Sequence, residues 1–178
     1  MRVVSFLLET VFYLLIGASL LRAYMNWLRI SMTDQPGTFV MALTNWLVKP
    51  LRRMLPQALA RSKVDSGSLI AAALLSLVYA LLTALLFGWF DGDVPLLVLL
   101  AFAIKILLRV ALQALTILVF GYVIMSWVQP GSYGHGLLSR LVEPPLAPLR
   151  RIVPMIGGLD LSAMALLLLL QIGLMLLG

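Results

Sequence analysis

The sequence predicts an all-α membrane protein of four transmembrane helices, laid out as two parallel tandem repeats, and three observations carry that reading. Hydrophobic residues make up 62% of the chain and charged ones 11%, whereas soluble domains carry roughly a quarter charged. Such a chain cannot cover itself with polar surface in water. Four apolar runs, at about residues 3–21, 69–90, 96–120 and 161–177, come close to or exceed the roughly 20 residues that a spanning helix needs. Finally, Pro50-Leu51-Arg52-Arg53-Met54-Leu55-Pro56 returns as Pro148-Leu149-Arg150-Arg151-Ile152-Val153-Pro154. Each copy follows a Trp-bearing apolar stretch (Trp27, then Trp127) and precedes an Asp (Asp65, then Asp160) and a new apolar run. Residues 1–90 and 91–178 therefore read as one unit used twice, each a span, an amphipathic basic loop and a second span.

The first run resembles a signal peptide in length. It lacks an A-x-A-like cleavage site before Arg22 and is the counterpart of the third run, so it reads as a retained span. Beyond Pro36, the apolar residues Phe39, Val40, Leu43, Trp46 and Leu47 recur at helical spacing with Thr38, Asn45 and Lys49 between them. That segment is too short to cross a bilayer and has the composition of a helix lying on its surface. Pro50 and Pro56 are expected to end it and stiffen the return to the second run. The halves meet at the acidic turn Asp91-Gly92-Asp93, followed by Pro95. The third run stays apolar as far as Val128, longer than a perpendicular span requires, which suits a tilt or an interfacial extension. Leu137, Leu138, Leu141 and Val142 then repeat the interfacial pattern, with Pro144, Pro145, Pro148 and Pro154 expected to break it before the last run.

The formal net charge is +6, and its distribution speaks of topology rather than nucleic acid. Arg29, Lys49, Arg52, Arg53, Arg61 and Lys63 lie in the first loop, and Arg140, Arg150 and Arg151 in the second. The other side receives Asp91, Asp93 and both chain ends, with Arg2 the one opposing charge. The positive-inside bias thus places both loops in the cytoplasm and both termini outside. There is no cysteine, hence no disulfide or thiol nucleophile. His135, the single histidine, has no second His or Cys nearby to make a metal site. No P-loop, G-x-S-x-G or H-E-x-x-H motif is present, so neither an enzyme nor a cofactor is expected.

The doubled pattern Arg22…Trp27…Pro36…Pro50-Leu51-Arg52-Arg53-x-x-Pro56 and Trp127…Pro148-Leu149-Arg150-Arg151-x-x-Pro154…Gly157-Gly158-x-Asp160 closely resembles the YggT family of bacterial inner-membrane proteins. The resemblance covers nearly the whole chain. It implies a small four-span protein associated with osmotic or extracytoplasmic stress, with potassium handling sometimes invoked. The similar YlmG relatives imply ties to cell-division gene clusters and, in plastids, to cytochrome assembly. No catalytic residue comes with the resemblance. The second half departs from the first: Tyr122 stands where Arg22 would fall, and no Asp or Pro answers Asp34 and Pro36.

Four groups of residues are candidates for function. Arg52, Arg53, Arg150 and Arg151, held between prolines, suit lipid phosphates or an acidic partner, because an arginine fork donates two parallel hydrogen bonds; the plainer reading is a topology signal alone. Glu9 stands as far before Trp27 as Arg109 stands before Trp127, and Lys105 lies one helical turn from Arg109. Glu9, Lys105 and Arg109 are thus a candidate intramembrane ion pair, unless they lie at the interface and Lys105 snorkels. Asp65 and Asp160 suit helix N-caps ahead of their spans, in preference to ion ligands. Trp27, Trp46 and Trp127, with Trp89, read as interfacial anchors. The leading functional expectation is a non-enzymatic protein of osmotic and extracytoplasmic stress tolerance whose basic loops engage membrane lipids and other envelope proteins, with self-association open. The alternative is a small oligomeric ion transporter or channel of the potassium type, with Glu9, Lys105 and Arg109 lining its path.

Overall fold

The computed structural model describes residues 2–54, 65–86, 95–153 and 160–178, and every regular element among them is helical. Helix α1 spans Arg2–Trp27, α2 Gly37–Met54, α3 Ser66–Leu86, α4 Leu96–Val128, α5 Tyr133–Arg150 and α6 Leu161–Leu177. Trp89, the Asp91–Asp93 turn, Arg61, Lys63, Pro56 and Pro154 lie outside the described residues. Three helices are long and apolar enough to cross a membrane: α1 over Val3–Trp27, α3 with 21 residues and α4 with 33. The 17-residue α6 is apolar but shorter. Their outward positions are apolar as well, among them Leu14, Leu81, Ile117 and Leu168, as suits helices whose solvent is lipid.

Several hydroxyls within these helices are satisfied on their own backbones, as suits a medium without water. Ser19 Oγ donates to Leu15 O at 2.9 Å, Thr83 Oγ1 to Tyr79 O at 2.8 Å and Thr116 Oγ1 to Leu112 O at 2.8 Å. In α3 the residues Ser68, Ala72, Ser76, Ala80 and Ala84 recur every fourth position, and all are buried. A stripe of small side chains lets two helix backbones approach closely, and α1 packs along α3. Ile16, Ala72, Leu75 and Ala80 form the centre of this first compact unit, residues 1–110, with Ala103, Ile106 and Val110 from the first half of α4. Helix α2 lies against both α1 and α3. The chain leaves α1 through Arg29, whose φ of 54° is left-handed. Ile30 N–H donates to Met25 O at 2.9 Å and Arg29 N–H to Asn26 O at 3.1 Å, a Schellman ending usually given to glycine.

The second compact unit, residues 111–178, packs Val119 and Tyr122 of α4 with Val142 and Leu146 of α5 and Ala163, Leu166 and Leu170 of α6. The unit boundary falls inside α4, beyond the junction near residue 90 at which the motifs divide the chain.

The expectation that the prolines end the loop helices needs correction. Pro50 lies inside α2, and Pro144, Pro145 and Pro148 lie inside α5. Each removes one backbone rung, but the inward stripe persists: Val40, Thr44 and Val48 in α2, Leu141, Val142 and Leu146 in α5. Pro50 and Pro148 sit on the outward side, where water can take up a freed carbonyl. Burial of the apolar stripe decides the conformation over the intrinsic preference.

Candidate functional site: two arginine–carboxylate clusters

The first arginine of each Pro-Leu-Arg-Arg motif reaches the Asp that stands ahead of the next helix. In the first unit, Arg52 grips Asp65 with both edges of its fork, Nε to Oδ1 at 3.2 Å and Nη2 to Oδ2 at 2.5 Å. Asp65 also accepts from Ser68, N to Oδ1 at 3.3 Å and Oγ to Oδ2 at 2.6 Å. Its negative charge thus meets the positive end of α3. A second cation stands by: Arg22 Nε is 3.9 Å from Asp65 Oδ2, and its Nη1 donates to Thr44 Oγ1 at 2.8 Å and Asn45 Oδ1 at 3.0 Å. Three helices meet here, with Arg22 from α1, Thr44, Asn45 and Arg52 from α2, and Asp65 leading into α3.

Burial differs sharply within this cluster. The Asp65 and Arg22 side chains are 2% and 7% exposed, that of Arg52 46%. Burial works against the Asp65 charge, but the hydrogen bonds from Arg52 and Ser68 outweigh it and hold the carboxyl below its usual range. Gly67 makes the grip feasible: a Cβ there would stand 2.6 Å from Arg52 Cγ, so any larger residue displaces the arginine stem.

In the second unit Asp160 is the N-cap of α6 and accepts from Ser162 N at 3.1 Å and from the Ser162 hydroxyl. Arg150 donates to Asp160 Oδ2 through Nε at 3.2 Å and Nη2 at 2.9 Å. Arg150 Nη2 also reaches the Tyr122 hydroxyl at 3.0 Å, and Nη1 reaches Glu143 Oε2 at 2.7 Å. Tyr122 stacks on the His135 ring at 5.5 Å. Burial opposes the Asp160 charge, yet the bonds from Ser162 and Arg150 hold its pKa low. Arg150 loses some charge preference to burial but gains more from Asp160 and Glu143, and its pKa is raised.

The other sequence candidates lie apart. Arg53 and Arg151 are exposed. Trp27, Trp46 and Trp127 are also exposed, with Trp46 Nε1 donating to Leu43 O at 2.8 Å in its own helix. Glu9 is exposed on α1, and Lys105 and Arg109 are half-buried on α4. Among the described residues the ion pairs join Arg22 and Arg52 to Asp65, and Arg150 to Asp160 and Glu143; Glu9, Lys105 and Arg109 enter none. No three His, Asp or Glu side chains of the described residues converge as metal ligands do. Thr44, Asn45, Ser68 and Glu143 were not singled out by sequence reasoning. The seven-residue spacing of Glu143 and Arg150, two turns of one helix, is a signal that could have found Glu143.

Three apolar helices of spanning length among the described residues, in a chain whose motif arginines close on the carboxylates ahead of α3 and α6, define a helical membrane protein. A model of the CCB3/YggT family matches residues 1–86 and 98–178, so the chain belongs to that family. It is similar to "Uncharacterized protein YggT" of Escherichia coli strain K12, 36% identical over 97% of this chain and 87% of that one. An uncharacterized protein of Pseudomonas aeruginosa is 33% identical over 88% of this chain and 79% of its own. One from Vibrio alginolyticus, named for its place in the proC 3′ region, is 31% identical over 100% of this chain and 95% of its own. No solved structure matches the chain.

Proposed function

We propose that this chain is a four-span inner-membrane protein of two parallel repeats that supports osmotic and extracytoplasmic stress tolerance, without enzymatic activity, through contacts of its basic cytoplasmic surface. The observation that carries the reading is the outward face of α2. Phe39, Trp46, Lys49 and Arg53 are all exposed, and helical geometry puts them on one side, opposite the buried Val40, Thr44 and Val48. An aromatic and basic face without an acidic residue suits the anionic surface of a cytoplasmic leaflet or an acidic envelope partner. The cytoplasmic placement rests on the positive-inside bias, and α6 as fourth span rests on its 17-residue, predominantly apolar length, the lower limit for crossing.

Arg53 and Arg151 are exposed, and among the described residues no carboxylate engages them, so the test of the surface falls on this pair. The double variant Arg53→Glu/Arg151→Glu is expected to insert normally and to lose complementation of a deletion strain under osmotic upshift. Full complementation by an inserted double variant would refute the reading.

A further inference from the structure

The two clusters differ at one edge of the arginine. Arg150 presents Nη1 outward from Asp160, and Glu143 closes that edge at 2.7 Å. Asn45 stands as far before Arg52 as Glu143 stands before Arg150, seven residues in one helix. Asn45 is neutral, however, and its Oδ1 accepts from Arg22. Among the described residues no second carboxylate lies within 4.0 Å of Arg52, whose side chain stays 46% exposed. The charge balance points the same way. Two guanidiniums share one carboxylate at Asp65, while one guanidinium lies between two carboxylates at Asp160. The next turn repeats the contrast: exposed Lys49 lies beside Arg52, where Ala147 lies beside Arg150.

We infer that the outward edge of Arg52, with Lys49 beside it, binds the phosphate of an anionic phospholipid, and that Glu143 occupies the equivalent edge of Arg150 as an internal substitute for that phosphate. A guanidinium edge and an ammonium together hold a phosphate by charge-assisted hydrogen bonds. Trp46, exposed on the same helix, favours a headgroup at the membrane interface over phosphate from solution. The inference rests on α2 lying at the membrane surface, as read above.

The test counts phosphatidylglycerol retained per purified chain by native mass spectrometry, with phosphatidylcholine and orthophosphate as comparison ligands. The native protein is expected to retain one phosphatidylglycerol. Asn45→Glu, which keeps an acceptor for Arg22 and supplies the missing carboxylate, is expected to retain none. Glu143→Gln is expected to retain two, since it opens the second edge. Equal retention of phosphatidylcholine, orthophosphate binding without phosphatidylglycerol, or an unchanged count in both variants overturns the inference. A lost lipid in Asn45→Glu with full complementation by Arg53→Glu/Arg151→Glu sustains this site and refutes the proposed function. An unchanged lipid count with failed complementation by Arg53→Glu/Arg151→Glu does the reverse.

Discussion

The clusters at Asp65 and Asp160 are assembled from the same parts, a motif arginine, a carboxylate ahead of a helix and a serine in that helix's first turn, yet they stand in different surroundings. Asp65 is sealed, its side chain 2% exposed, with a buried Arg22 at 3.9 Å as well as Arg52. Asp160 is 17% exposed and its arginine 28%. A buried carboxylate between two cations is a structural hub, since removing it strands charge that water cannot reach. A half-open pair is screened, and each partner retains an alternative in solvent. The same motif therefore serves a tighter purpose in the first unit than in the second.

The widest separation is expected from removing the two carboxylate charges. Asp65→Asn should destabilise the protein by about 3–5 kcal/mol, as breaking a buried ion pair does. Asp160→Asn should cost about 1–2 kcal/mol, mostly through the weakened cap. Thermal unfolding of both variants in detergent micelles measures this directly. Equal losses would mean that burial does not distinguish the sites.

Acid sharpens the contrast. Both carboxyls have their folded pKa lowered, while an unfolded Asp titrates near about 3.9. Their contribution is thus fully present above about pH 4 and is lost as pH falls through the lower folded values. The stability gap between the native protein and Asp65→Asn should accordingly stay flat from neutrality to about pH 5, then close on further acidification. The gap to Asp160→Asn should follow the same course with a smaller amplitude. A gap for Asp65→Asn that persists unchanged to about pH 3 would show that its charge does not hold the first cluster together.

Much of this was legible in the sequence, and what escaped has a physical reason. Composition and run length pointed to an all-helical membrane chain, and α1, α3 and α4 have the length and apolarity expected of spans. Helical periodicity located α2 and α5, but proline chemistry suggested ends where the helices continue, because burial of Val48 and Leu146 is a tertiary effect that local preference does not contain. At the sites, Arg52 and Asp65 were each singled out, one for lipid and one for a helix end. Their meeting is set by the packing of α2 against α3, which no spacing rule specifies. Arg22 and Tyr122 were seen as a mismatch between halves. The structure shows the two doing related work, each touching the cluster of its own unit.

That substitution yields the smallest prediction and the most selective one. Tyr122 is 8% exposed, stacks on His135 at 5.5 Å and accepts from Arg150 Nη2 at 3.0 Å. Tyr122→Phe keeps the ring, its burial and the stacking, and removes only the hydroxyl. Arg150 retains Asp160 and Glu143, so its charge is not stranded, and the loss should be one hydrogen bond, about 1 kcal/mol. The double variant with Asp160→Asn distinguishes a local effect from a coupled one. If the hydroxyl acts by holding Arg150 against Asp160, the two losses fall short of additivity. Strict additivity would make Tyr122 a packing residue that happens to touch the arginine, and the likeness to Arg22 would end at position.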